Sequence, residues 1–380
     1  MGDLNDLFVV SLEHAVAAPY ASCKLADAGA RVVKVERPEG DFARGYDTLA
    51  KGSSAYFVWI NRGKQSVRLN LKSPADLAVM RNMLAEADVF IHNMGPGVVD
   101  RLGLDVDSLR AKNRGLIVCA ISGYGSEGPA KDQKAYDLLI QAESGLSAIN
   151  GTEHGSARVG VSVCDIAAGM TAYQAILEAI IGRSKTGDGR SIEVSLFHAM
   201  ADWMNVPYLQ YRYGGKAPAR MGLKHPTIAP YGAFNCADDR AVLISVQNER
   251  EWAVLCEQIL GDPFLATRQG FSNNTERVAN RETVDQLVGD AFAKRSRDEN
   301  IEMLQKCGIA FGRLSDLDDI VAHPQHRFIF VRTDDGEIEL LSPGAVVAGE
   351  TKSFGKVPSL GEHDALIRAE FGTADLAISA

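Results

Sequence analysis

Short apolar runs alternate with helical spacings through the first half of the chain. Residues 7–12, LFVVSL, form an apolar run bounded by polar positions, as expected of a strand buried on both faces. PYASCKLADAGA follows with helical spacing and stops at Gly29, and 31–36, RVVKVE, gives the next strand. Ser73 stands at an N-cap position, with Pro74 at N1 and Asp76 at N3. The helix they start carries Leu77, Met80 and Leu84 on one face. DVFIHN (88–93), GLIVCAISG (115–123) and RSIEVSL (190–196) are further strands, and a long helix-compatible segment opens at Asp165. This alternation predicts an α/β fold with a Rossmann-like, doubly wound parallel sheet and right-handed crossovers.

The pattern changes after the aromatic-rich segment FHAMADWMNVPYLQYR. Residues 206–233 include a Gly- and Pro-rich, locally basic stretch that reads as a linker. Residues 234–326 hold one strand, AVLISV, and several amphipathic helices, forming a smaller α+β domain. Residues 327–350 show short strands with Gly and Asp turns, and HDALIRAEF closes the pattern with a helix. The expected organisation is a large domain from both chain ends, 1–205 and 327–380, with the small domain between them.

With 380 residues, the chain is long enough for both domains, and its 46% hydrophobic content can bury a sizeable core. The net charge of −9 argues against broad nucleic-acid binding, which needs a basic face to displace counterions. Six cysteines show no CxxC spacing, so no zinc or other metal site is expected. Several lie in apolar runs and read as reduced, buried thiols, which places the protein in the cytoplasm. The N-terminus lacks a basic n-region, and no run of 18 apolar residues predicts a membrane span.

ADAGARVVKVERP resembles the second strand of a dinucleotide fold ending in an acid. The preceding turn, EHAVAAPYAS, contains no glycine, so the nicotinamide fingerprint is absent. GxxxxGK[ST] and GxSxG are absent too. In RVGVSVCDIAAGM an apolar run ends in Asp165 just before a small-residue helix. Spacing alone leaves two roles open for Asp165: helix N-cap or reactive carboxylate. Cys164 beside it reads as a core thiol.

Seven segments in order carry a resemblance over nearly the whole chain. They are LADAGARVVKVERPEGDFAR, NRGKQSVRLNLKSP, EADVFIHNMGPGVVDRLGL, ISGYGSEGP, KAYDLLIQAESG, VGVSVCDIAAGM and the terminal SLGEH. The chain resembles the class III CoA-transferases, the family of formyl-CoA transferase and carnitine CoA-transferase. Its opening segment is similar to the branch associated with small dicarboxylates such as itaconate, mesaconate and citramalate. The resemblance implies that Asp165 is the nucleophile. It implies CoA contacts at Arg37, at Leu69, Asn70, Leu71 and Lys72, at Asn93 and Met94, at Arg101, and at Lys134, Ala135, Tyr136 and Asp137. It also implies an interlocked homodimer and no cofactor beyond coenzyme A and its acyl thioesters. Two departures stand out: the small-Gly-Pro turn of the family is Ala17-Ala18-Pro19 here, and the glycine-rich flap of formyl-CoA transferase has no counterpart.

An aspartate suits CoA transfer because its mixed anhydride stays reactive enough for a thiolate to reopen, whereas an ester would not. At its reference pKa near 3.9 it would be ionised without a general base. Backbone N–H groups are expected to stabilise each oxyanion. A distal carboxylate on the substrate needs a cationic or polar partner. His14 at the C-terminal mouth of the first strand, and Arg44 in the GDFAR loop after the second, are the expected partners. Two other readings of the same residues are a 2-methylacyl-CoA racemase and a non-catalytic CoA-binding protein. The racemase branch places a histidine before the aspartate matching Asp137; here that residue is Tyr136, a poor base at neutral pH.

Overall fold

A computed structural model describes residues 2–372. Six parallel strands form one sheet in the order β3-β2-β1-β4-β5-β8. They are β1 (Phe8–Leu12), β2 (Arg31–Glu36), β3 (Lys64–Arg68), β4 (Val89–His92), β5 (Ile117–Ser122) and β8 (Ser191–Ser195). The short antiparallel pair β6 (Gly151–Thr152) and β7 (Gly155–Ser156) lies between β5 and β8 in sequence. Strand order reverses at β1: the chain winds outward to β2 and β3, then returns to pair β4 against β1. The mouth between β1 and β4 is therefore the topological switch point, where open α/β sheets bind ligands.

The sheet is covered on both faces because successive strand residues serve different layers. Val9 and Ile91 pack with α1 (Ala17–Asp27) and the long helix Val163–Thr186, while Val10, Leu12 and Phe90 pack with the helix Pro74–Glu86. Small residues let α1 and the long helix come close: Ala17, Ala18 and Ala21 meet Ala167, Ala168 and Ala172. A side chain at Gly169 would stand 2.7 Å from the carbonyl oxygen of Ala17. By length and composition the helix Val163–Thr186 is apolar enough to cross a membrane; in this fold it is a core helix.

Sequence pattern misses β3, whose residues KQSVR are largely polar. Lys64 and Ser66 are nevertheless buried, because Lys64 pairs with Glu13 at 2.7 Å and the Ser66 hydroxyl donates to Glu36 at 2.6 Å. Backbone contacts group residues 2–147, 158–209 and 327–372 into one compact unit. Residues 148–157 group with 210–326 in a second unit. That second unit contains the antiparallel strands Tyr231–Asn235, Ala241–Ser245 and Ala310–Arg313, over a core centred on Trp252, Phe292 and Leu304.

Candidate active site

The turn after β1 is drawn tight by side chains rather than glycine. Ala15 adopts a left-handed conformation, φ 60°, sparsely populated for a residue with a Cβ. Its N–H donates to Asp41 Oδ1 at 3.2 Å, and Asp41 Oδ2 accepts from Lys34 Nζ at 2.8 Å. Lys34 and Lys64 both reach the carboxylate of Glu13, which also accepts from the hydroxyls of Ser11 and Ser22. Burial alone would raise the carboxyl of Glu13; the ammonium groups of Lys64 and Lys34 more than offset it and hold it at about 2. This buried network ties the loop after β1 to the loop after β2. On the β4 side, Asn93 accepts from the His14 N–H at 3.0 Å and donates to its carbonyl at 2.8 Å.

These loops wall a cavity of about 520 Å³ at the switch point. His14, Phe42, Tyr46, Tyr56, Asn93, Tyr136, Asp137, Arg158 and Asp165 all line it. His14 packs on Phe42 at 5.1 Å, Phe42 on Tyr46 at 5.7 Å and Tyr46 on Tyr56 at 5.5 Å, making an aromatic wall. Burial lowers the pKa of His14 despite the opposing Asp41, so its imidazole is neutral at pH 7. The Tyr46 phenol is pushed to about 12 by burial and by the carboxylates of Asp41 and Asp165, so it stays a hydrogen-bond donor. Gly123 is required here, since a side chain on it would overlap Ala135 of the same wall. A larger hollow of about 990 Å³, lined by Tyr20, Thr171, Trp203 and Val346 among others, does not reach Asp165.

Asp165 is the third residue of the helix Val163–Thr186, and its N-cap is Ser162. It does not cap the helix. Asp137, the first residue of the helix Asp137–Glu143, does that from a distant segment: its Oδ1 accepts from the N–H groups of Cys164 at 2.8 Å and Asp165 at 3.3 Å. Gln141, fully buried, donates to the other oxygen of Asp137 at 2.7 Å and accepts from the Val159 N–H at 2.8 Å. The carboxyl of Asp165 is thus left uncommitted and half-buried. Burial first, and then the carboxylate of Asp137, push it up to about 7.

Two expectations change as a result. Asp165 is not fully ionised at neutral pH, as its reference value implied. The N–H groups of Cys164 and Asp165 are held by Asp137, so they are not open to an oxyanion. Arg44 also moves. It forms a bidentate pair with the buried carboxylate of Glu36 (2.8 and 2.7 Å), donates to the Pro358 carbonyl and stacks on Phe57 at 3.8 Å. With its fork engaged away from the cavity, Arg44 is a structural residue rather than a substrate contact. Leu69 is likewise a core residue, 2% exposed, so its side chain cannot contact CoA.

The remaining carried-over positions sit along one edge of the sheet. Arg37 follows β2; Asn70, Leu71 and Lys72 follow β3; Asn93, Met94 and Arg101 follow β4; Lys134 and Ala135 follow β5. Arg37, Lys72, Arg101 and Lys134 are all exposed. Four basic side chains in the segments that follow four strands suit a polyanion lying across that edge. Tyr136 is 64% exposed and lines the cavity. Sequence reasoning passed over Tyr46, Tyr56, Gln141 and Arg158. Tyr46 and Tyr56 come from segments distant in sequence from Asp165, whereas Gln141 stands one helical turn from Asp137 and Arg158 opens the segment RVGVSVCDIAAGM, a proximity to the site that could have marked both.

A family model described as CoA-transferase family III matches residues 4–364. The acetyl-CoA:oxalate CoA-transferase of Acetobacter aceti is 33% identical over 98% of this chain and 97% of its own. The succinate–glutarate CoA-transferase of Agrobacterium fabrum is 32% identical over 98% and 96%. The crystal structure of a CAIB/BAIF family protein from Brucella suis superposes with a TM-score of 0.83 at 34% identity, covering 97% of this chain and 99% of that one.

Proposed function

This chain belongs to CoA-transferase family III, and from that premise we propose that it moves CoA from an acyl-CoA donor, succinyl-CoA foremost, to a small dicarboxylic acid through Asp165. The observation that carries the proposal is the uncommitted, half-buried carboxyl of Asp165 in the switch-point cavity, raised to about 7 beside Asp137. A carboxylate of higher pKa is a stronger nucleophile once ionised. The dicarboxylate reading is supported by the names of the relatives, which act on oxalate and on glutarate.

The carboxylate of Asp165 attacks the thioester carbonyl of the donor. The C–S bond breaks, CoA leaves as thiolate, and an aspartyl mixed anhydride remains. The thiolate then attacks the aspartyl carbonyl, releasing the donor acid as its carboxylate and leaving an aspartyl-CoA thioester. The acceptor carboxylate opens that thioester to a second anhydride, and the thiolate returns to its acyl carbon, freeing Asp165. No net proton or electron is exchanged. The basic residues Arg37, Lys72, Arg101 and Lys134 hold the CoA phosphates throughout, and the protonated Tyr46 is a donor available to developing oxyanions.

We place the protein in the cytoplasm, with its six thiols unpaired, and in an intertwined homodimer. The dimer is supported by the exposed Tyr208, Tyr211 and Tyr213 on the helix Asn205–Gly214, an aromatic surface that a partner subunit would cover. The test of the nucleophile is trapping. Incubation with succinyl-CoA followed by borohydride or hydroxylamine should modify Asp165, seen by mass spectrometry of its peptide. Asp165→Ala should bind CoA but transfer nothing; full transfer by that variant defeats the assignment.

A further inference from the structure

We infer that Arg158 is the residue that selects a dicarboxylate, by receiving the carboxylate of the substrate remote from the reacting carbon. This deepens the transfer reading above and rests on it. The cavity already contains two carboxyl groups, Asp137 and Asp165. A dianionic acid brought to Asp165 is therefore repelled unless its far end meets a cation. Among the described residues lining the cavity, Arg158 is the one permanent cation. His14 is held neutral by burial and Arg44 is paired with Glu36 outside the cavity.

An exposed arginine is ordinarily a solvated surface charge. What separates Arg158 from that is how it is fixed. Its Nε donates to the Val159 carbonyl at 3.1 Å and its Nη2 to the Gly160 carbonyl at 3.3 Å, so the guanidinium lies folded against its own backbone. That backbone is pinned in turn. The Val159 N–H donates to the buried Gln141, Gln141 donates to Asp137, and Asp137 caps the helix turn that presents Asp165. Three consecutive hydrogen bonds thus set the distance between cation and nucleophile, the preorganisation that fixing substrate length requires. Guanidinium geometry matches a carboxylate through paired N–H donors.

The test is the exchange of each labelled acid with its own CoA thioester, comparing succinate with butyrate, which differ at the distal carboxylate. Arg158→Gln should lower kcat/KM for succinate by roughly tenfold to a hundredfold, the loss of a charge-assisted contact. Butyrate exchange and the KM for the CoA moiety should be unchanged. Arg158→Lys should retain part of the preference, and Arg158→Glu should shift it toward 4-aminobutyrate. Equal losses for both acids, or a raised KM for the butyryl thioester with no change in preference, assign Arg158 to folding or to CoA and overturn the inference. Unchanged succinate exchange overturns it too. A wild-type protein that prefers butyrate refutes the dicarboxylate reading, and one that exchanges no acid refutes transfer itself; the inference falls with either.

Discussion

Replacing Asp165 by Asn should make the protein more stable, and only above acidic pH. The carboxyl of Asp165 ordinarily titrates at 3.8 and is raised to about 7 in the fold, by burial first and by Asp137 second. Between those values the folded state holds a proton that the unfolded state has released. The contribution of this carboxyl to stability is therefore undiminished below about pH 4 and falls as the pH rises to about 7. The gap, at about 1.4 kcal/mol per pH unit, bounds the loss at about 4 kcal/mol. The group is half-buried, so solvent screens part of this and leaves about 2 kcal/mol. Asn matches Asp in shape and cannot ionise. Denaturant unfolding of wild type and Asp165→Asn at pH 4, 5.5 and 7.5 should show curves that coincide at the first pH and separate by the last. An Asp165→Asn protein no more stable than wild type at pH 7.5, or one stabilised equally at every pH, would refute the picture of a carboxylate held ionised against its surroundings.

The same pair sets the pH dependence of turnover. The kcat/KM of wild type should rise with pH to a plateau above about 7 as Asp165 ionises. Asp137→Asn should move that rise to lower pH by less than half the distance between about 7 and 3.8, because burial is the larger cause; a rise that stays in place shows that Asp137 does not act on Asp165. Separately, 2-methylacyl-CoA in deuterated water should gain no deuterium at its α-carbon. Tyr136, which stands where the racemase branch has histidine, is a poor base, and exchange as fast as transfer would show the isomerase reading to be right.

Much of the sheet is legible in the sequence because burial on both faces writes itself as runs such as LFVVSL and GLIVCAISG. What the runs do not show is which charged residues end up inside. Lys34 and Glu36 look like the solvated positions of a half-exposed strand, and KQSVR does not look like a strand at all. They are buried because Glu13, Lys34, Lys64 and Asp41 neutralise one another, and because Glu36 is satisfied by Arg44 and Ser66. Those partners lie between 7 and 51 residues apart, beyond any local periodicity. The misplacement of Arg44 has this cause. Position after a strand put it at the mouth, but the carboxylate eight residues before it claimed its guanidinium. The nucleophile role proposed for Asp165, by contrast, rests on the resemblance, because an aspartate at the start of a helix looks the same whether it caps or reacts.

The buried ion network also explains how a Rossmann-like turn works here without glycine. Ala15 holds a left-handed backbone that costs of order 1 kcal/mol or more for a residue with a Cβ. Asp41 accepts its N–H, Lys34 holds Asp41, and Glu13, two residues before Ala15 in the same turn, holds Lys34. The strained residue is therefore spanned by two carboxylates gripping one ammonium group, which is itself buried within β2. Removing one member would leave a buried charge short of a partner, a loss of up to about 3–5 kcal/mol that exceeds the strain. The geometry of the turn is thus over-determined. The walls it sets, His14 on one loop and Phe42 and Tyr46 on the other, keep their separation without any side chain of the network entering the cavity. That leaves the carboxyl of Asp165 free of any part in holding this turn, while Asp137 is occupied in capping the helix that presents it.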